Sequence, residues 1–292
     1  MISLKLPACT HLGEGSVKTV PEIIRRENAK KVVVFTDQGV RQSGVCDVLL
    51  RELTDVSYEV LDDIPREPSY LDVEKIAAQL EAVACDLIVA IGGGSVMDTA
   101  KLCSILKGAP YTVRDLLQDP TQGRKQVKTV FLPTTCGTGS EVTNISIINR
   151  TCLGIKVGLV HDSLYARHAV LVPELLEKLP YPVFATSSLD ALVHAVESYL
   201  STAASPFTRM FSAEAIRLIL AGYTDVALHG RDSLRPRLGD FLLASTYAGL
   251  AFGTAGCATV HAMSYPLGST FHIPHGESNY AVFAGVLRHY EQ

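Results

Sequence analysis

The stretch Cys85–Leu102, CDLIVAIGGGSVMDTAKL, runs strand, glycine turn, helix. Ile91 to Asp98 is its phosphate candidate. Glycines let the backbone approach a pyrophosphate, and the start of the helix supplies free N–H donors and the positive end of a dipole. Three glycines in a row leave more room than packing requires. The spacing is not G-x-G-x-x-G, and the acidic strand end, Asp37, precedes the glycines instead of following them. Taken alone, the motif suits any phosphate ligand.

The same alternation extends outward on both sides. KKVVVFTD (Lys30 to Asp37) is a β-branched run ending in a carboxylate, and VSYEVL (Val56 to Leu61) is a weaker second strand. Tyr70 to Ala84 carries one apolar stripe, Val73, Ile76, Leu80 and Val83, and is helical. VKTVFLPTTCGTGSEVT repeats strand and polar loop, and His168 to Pro173 is one more short strand. Pro133 to Val142 is dense in hydroxyls and glycines. Its place after a strand, on the same sheet edge as the glycine turn, points to a shared ligand. Strands alternating with helices imply a mostly parallel sheet covered on both faces.

From about Glu174 the pattern becomes helical. LDALVHAVESYL, FTRMFSAEAIRLILAGY and RLGDFLLASTYAGLAF carry apolar residues at three- and four-residue spacing. Ser187 or Ser188 is the expected cap of the first, and Gly222 and Gly230 the expected stops. Pro180 and Pro182 place the boundary near Leu179 to Phe184.

A chain of 292 residues with 47% hydrophobic and 19% charged residues has material for a large core or two ordinary ones. A net charge of −4 gives no basic footprint for nucleic acid. No apolar run reaches membrane-spanning length, and the N-terminus lacks a signal pattern. Seven scattered cysteines with no C-x-x-C pair fit a reducing, cytoplasmic setting.

The histidines supply the remaining chemistry. Asp190 and His194 stand four apart in an otherwise apolar run, on one helix face. An unpaired carboxylate buried there is costly, and a cation facing it removes the cost. Cys257 to Tyr280, CATVHAMSYPLGSTFHIPHGESNY, adds His261, His272 and His275, with a Pro-His-Gly turn after a glycine-rich loop. One Asp with two or three His from separate segments is enough to hold a divalent metal.

GGGSVMDTAK, PTTCGTGSEVT, Asp190 with His194, and HAMSYPLG followed by PHG together resemble the iron-dependent (group III) alcohol dehydrogenase family, in order from about Gly13 onward. TTCGTGSEVTNIS with YPLGSTFHIPHGESNY is similar to its 4-hydroxybutyrate dehydrogenase branch. The resemblance implies an α/β N-terminal dinucleotide-binding domain with a parallel sheet (1–180) and an all-α C-terminal metal-binding domain (181–292). This is a dehydroquinate synthase-like architecture with a cleft between the two. It implies metal ligands Asp190, His194, His261 and His275. Asp37 falls at the adenosine ribose, Gly93, Gly94 and Ser95 at the pyrophosphate with Asp98 beside them, Thr134, Thr135 and Thr138 near the nicotinamide half, and Lys156 on the ribose side. The implied cofactors are NAD and Fe2+, with Zn2+ an alternative.

The implied activity is reversible hydride transfer between NAD(H) and a short-chain primary alcohol or aldehyde, such as 4-hydroxybutyrate and succinate semialdehyde. A homodimer without nucleic-acid or membrane partners is expected. A dehydroquinate-synthase-like or glycerol-dehydrogenase-like enzyme, or a nucleotide-binding remnant without activity, remains open. Two departures stand out. Many family members carry a second His four residues after the third ligand, and here that position is Tyr265. His272 is then the candidate proton relay, with Tyr265 a wall or hydrogen-bond donor beside it. The chain also stops at Gln292, where family members usually continue through several more helices.

Overall fold

Asp86 to Leu106 folds as its sequence dictates, and the rest of the first unit is built around it. The computed structural model of the chain describes residues 5–7, 9–271 and 273–291. Its strands are β1 (Cys9–Leu12), β2 (Val32–Phe35), β3 (Tyr58–Leu61), β4 (Leu87–Gly92), β5 (Lys128–Pro133), β6 (Ile145–Arg150), β7 (Ile155–Val160) and β8 (His168–Leu171). Six of them form one sheet in the order β1-β8-β5-β4-β2-β3, with every pairing parallel. All positions of β2 and β4 are buried, as expected of central strands covered on both faces. The order of connection reverses between β2 and β4. The carboxyl ends of these two strands, at Asp37 and Gly93, therefore flank a topological switch point, where α/β sheets take their ligands.

Among the described residues, the α-helices of this unit are α1 (Val20–Arg26), α2 (Gln38–Gln42), α3 (Cys46–Leu50), α4 (Tyr70–Glu81), α5 (Gly94–Leu106) and α6 (Val113–Gln118). Val73, Ile76 and Leu80 of the α4 stripe pack with Val96, Met97 and Ala100 of α5 against Val33, Phe35 and Ile88. Ser69 caps α4 in a reciprocal box with Asp72. Strands β6 and β7 form a separate antiparallel hairpin.

The second unit is helical: α7 (Tyr181–Leu200), α8 (Pro206–His229), α9 (Leu238–Ala255), α10 (Thr259–Phe271) and α11 (His275–Tyr290). It also takes in Thr135–Gly139, while Pro7–Thr134 and Ser140–Lys178 make up the sheet unit. Gly137 lies against Ser187, and Gly139, at φ 56, against Gly249, so close that a Cβ at either would strike backbone atoms.

Three local expectations change here. Ser187 and Ser188 do not cap a helix, because α7 starts earlier, with Pro180 at its N-cap and Pro182 in its first turn. Ser188 Oγ instead bonds Phe184 O and the Tyr223 hydroxyl. Gly222 does not stop α8 but lies inside it, where the Phe241 ring fills the space a Cβ would need; Gly230, at φ 80, is the stop. The expected glycine-rich loop before His275 is α10, which continues through Pro266 and Gly268. No single helix among the described residues is long and apolar enough to cross a membrane.

A charged clasp fastens the amino ends of β5 and β8 to α1. Glu27 takes Lys128 Nζ at 2.7 Å, Arg167 Nε at 3.1 Å and His168 Nε2 at 3.1 Å. Lys128 above all, then His168 and Arg167, hold its carboxyl down at about 2 against the opposing effect of burial. A depressed acid stabilises the fold above its unfolded value near 4.5, and that contribution is lost as pH falls from there towards about 2. Chemical denaturation at a series of pH values is expected to show this loss, and Glu27→Gln is expected to be less stable at neutral pH with a flatter acid limb.

Candidate functional site

Four helical-unit side chains converge. Helix α7 sets Asp190 and His194 one turn apart, α10 brings His261, and the first residue of α11 is His275. Asp190, His194 and His261 are buried at 3%, 5% and 3% exposure, and the His275 side chain keeps 30%. Asp190 Oδ2 lies 3.9 Å from His194 Nδ1, and its Oδ1 lies 4.0 Å from His261 Nε2 and 3.7 Å from His275 Nε2. One donor atom from each of the four lies within 4.8 Å of all the others. Donors bonded to one ion at about 2.0–2.2 Å stand up to about 4.4 Å apart, and the three Asp190–histidine separations of 3.7, 3.9 and 4.0 Å fall within that reach.

The surroundings fix which ring nitrogens face inward. Glu197, one turn beyond His194 on α7, accepts Val260 N at 2.6 Å and His261 Nδ1 at 2.5 Å. His261 Nε2 is thereby left as the metal-facing atom, the usual outer carboxylate arrangement of a metal-bound imidazole. His194 hydrogen-bonds the Gly137 backbone, while its buried Nδ1 has no hydrogen-bond partner. An orphaned imidazole nitrogen aimed at a carboxylate and two further imidazoles is what a divalent cation satisfies. The His194 ring stacks on Phe252 with centroids 4.2 Å apart, an apolar wall for that side. Asn279, fully buried, donates Nδ2–H to Asp190 Oδ1 at 2.6 Å and lies 3.2 and 3.3 Å from Nε2 of His261 and His275.

Electrostatics follow from this crowding. Burial penalises the Asp190 charge, but His194, His275 and His261 with Asn279 outweigh it and hold the carboxyl below its ordinary value. Burial pushes the His194 imidazole down to about 4, so it is neutral and able to ligate at neutral pH. Burial also opposes a charge on His261, yet Cys257 and Glu197 push it up to about 10. A cation binding there must displace that proton.

In the sheet unit, Gly93 caps α5, and Gly94 and Ser95 are its first residues. A Cβ on Gly92 would lie 2.5 Å from Val96 Cγ2, so the turn closes tightly onto its helix. Ser95 Oγ accepts Glu67 N at 3.0 Å. Asp37 caps α2 through Val40 N and borders a cavity of about 300 Å³ whose lining includes Asp62, Asp63 and Arg66. Asp98 faces the interior. Its Oδ1 takes Ser140 Oγ at 2.5 Å and Lys101 Nζ at 3.3 Å, and its Oδ2 takes Ile147 N at 2.9 Å. Lys101, with no exposed side-chain surface, also bonds Ser140 Oγ, Thr143 Oγ1 and Ile145 O, and burial lowers its pKa. The pair ties the first turns of α5 to residues 140–147. Lys156 Nζ pairs with Glu67 Oε1 at 2.8 Å. Thr134 is buried and donates its N–H to Gly92 O, whereas Thr135 and Thr138 belong with the helical unit.

The iron-containing alcohol dehydrogenase family model matches residues 7–173, and the family's C-terminal model matches residues 184–292. The chain belongs to the iron-containing alcohol dehydrogenase family. It is 45% identical over 226 residues to 4-hydroxybutyrate dehydrogenase of Clostridium kluyveri, a match covering 77% of this chain and 60% of that protein. It is 37% identical over 291 residues to long-chain-alcohol dehydrogenase 1 of Geobacillus thermodenitrificans, covering 98% and 73%. The iron-containing alcohol dehydrogenase of Thermotoga maritima superposes with TM-score 0.88 at 30% identity, covering 99% of this chain and 79% of that one. Sulfoacetaldehyde reductase of Bifidobacterium kashiwanohense, solved in complex with NAD+, superposes with TM-score 0.91 at 26% identity, covering 99% and 76%.

Within this family member, Tyr265 adjoins the four-residue cluster, its ring 6.0 Å from that of His275 and 6.4 Å from that of His261. Burial first, then the charges of Cys257, Asp190 and Glu197, push its hydroxyl up to about 12. His272 lies outside the described residues. Glu197 and Asn279 were not singled out from the sequence, though each sits at helical spacing from a candidate ligand. Glu197→Gln is expected to weaken divalent-metal affinity about 10–100-fold while the helices stay intact. Chelator competition followed beside far-ultraviolet circular dichroism measures both.

Proposed function

We propose that this protein is an NAD-dependent, iron-dependent alcohol dehydrogenase acting on 4-hydroxybutyrate and succinate semialdehyde. The observation that carries the reading is the convergence of Asp190, His194, His261 and His275, drawn from three helices, on one point. When bound, a divalent cation supplies Lewis-acid polarisation of an alcohol or carbonyl oxygen, and NAD accepts or returns the hydride. The protein's own residues do the rest. The four side chains hold the cation, Glu197 and the Gly137 backbone fix the tautomers, and Phe252 excludes water from one side. The free N–H groups at the start of α5 receive a pyrophosphate over Gly93, Gly94 and Ser95. Tyr265 keeps its proton at neutral pH and serves as wall and donor, so in this reading His272 relays the proton.

The substrate rests on the likeness to the Clostridium kluyveri enzyme, of which this chain spans 60%. The decisive assay is anaerobic NADH oxidation by Fe2+-reconstituted protein with succinate semialdehyde, set against long-chain aldehydes. A higher kcat/KM for succinate semialdehyde is expected. A preference for long-chain aldehydes would move the substrate assignment, and no turnover with any aldehyde would overturn the activity.

Cofactor choice follows from charge. Asp37 retains acceptor capacity for ribose hydroxyls, and a 2′-phosphate beside it meets like charge, while Asp62 and Asp63 are paired with Arg41 and Lys75 and Arg66 completes the lining. NAD(H) is expected to give the higher kcat/KM, with the gap to NADP(H) narrowing in Asp37→Gly. Steady-state kinetics with both cofactors measures it.

A further inference from the structure

We propose that Cys9, His11 and His168 form a second metal site, separate from the four-residue cluster and suited to a borderline-soft divalent ion such as Zn2+. Strands β1 and β8 pair in parallel with Cys9 opposite His168, and Cys9 and His11 stand two apart on β1. That register puts all three side chains on one face of the sheet. Cys9 Sγ lies 3.4 Å from His11 Nε2, which lies 3.4 Å from His168 Nδ1. One donor from each residue lies within 4.8 Å of the other two. A hydrogen bond between two imidazoles closes to about 2.9–3.0 Å, so the pair is too open for a good one. Tetrahedral bonds of about 2.0–2.1 Å to nitrogen and about 2.3 Å to sulfur place two nitrogens about 3.4 Å apart and nitrogen and sulfur about 3.6 Å apart. The two spacings about His11 Nε2 match those of a metal shell.

The tautomer is set as a metal site requires. His168 is buried, and its Nε2 bonds Glu27 Oε1 at 3.1 Å. Glu27, held charged by Lys128 and Arg167, accepts the Nε2 proton, so the Nδ1 lone pair faces His11. His11 is itself made less basic, by burial and then by His168 and Arg26, with Glu22 opposing, which favours the neutral ligand form. Cys9 and His11 are only half-buried, leaving one side open to solvent for a fourth ligand. An ion here would pin β1, the outermost strand of the sheet, to its neighbour.

Cobalt(II) tests this, because thiolate ligation gives a near-ultraviolet charge-transfer band that a site of one aspartate and three histidines cannot. Cys257 lies near Glu197 and His261 and is the other cysteine that could produce it. The full chain, thiols reduced and anaerobic, is expected to bind two Co2+ with the band present. The band should persist in Cys257→Ser. Cys9→Ser and His11→Ala should each lose it and bind the second Co2+ about tenfold more weakly or worse, with circular dichroism unchanged. X-ray absorption of the zinc-loaded Cys257→Ser protein, which leaves the strand intact, should show sulfur in the zinc shell. Bound Co2+ without the band, a band that survives Cys9→Ser, or a zinc shell without sulfur would overturn the proposal.

Discussion

The charge on Asp190 is the constraint around which the helical unit is arranged. A carboxylate with 3% exposure cannot stay ionised without compensation, and the described residues around it offer three imidazoles and one amide. Each sits on a different part of the unit: His194 one turn along the same helix, His261 on α10, and His275 and Asn279 on α11. The packing of α11 on α7 serves the same end. A Cβ on Gly276 would lie 2.3 Å from Thr186 O, so only glycine lets His275 approach Asp190 this closely. The Pro-His-Gly sequence is therefore a packing requirement as well as a source of a ligand.

Much of this was legible in the sequence because it lies in local patterns. The apolar runs of β2 and β4 and the stripe of α4 announce a covered parallel sheet, and four-residue spacing places Asp190 and His194 on one face. What escaped was set by partners distant in the chain. Ser188 has the chemistry of a helix cap, but the Tyr223 hydroxyl claims it from α8. Gly222 has the look of a helix stop, but it is the seat of the Phe241 ring. Glu197 did carry a signal, since an acidic residue seven beyond Asp190 lies on the same inward helix face. The β6–β7 hairpin has only weak alternation to announce it, and its turn carries Gly154 at φ 64.

The dinucleotide side shows how one motif can contain two roles. The glycines and Ser95 present backbone donors at the head of α5, while Asp98 and Lys101, in the same run of sequence, face the opposite way and hold residues 140–147. A buried ammonium with four oxygen partners tolerates little movement, and that stiffness is passed to the turn in front of it. The Asp98 carboxylate bonds Ser140, Lys101 and Ile147 N behind the helix start.

Thr135–Gly139 counts with the helical unit although it is encoded in the middle of the sheet unit. During synthesis this strip leaves the ribosome before any of α7 or α9, and so before Ser187 and Gly249, against which its glycines lie. The helical unit cannot complete its packing from its own contiguous sequence. The helical unit is complete only with this strip in place, and the His194 contact to the Gly137 backbone exists only in that state.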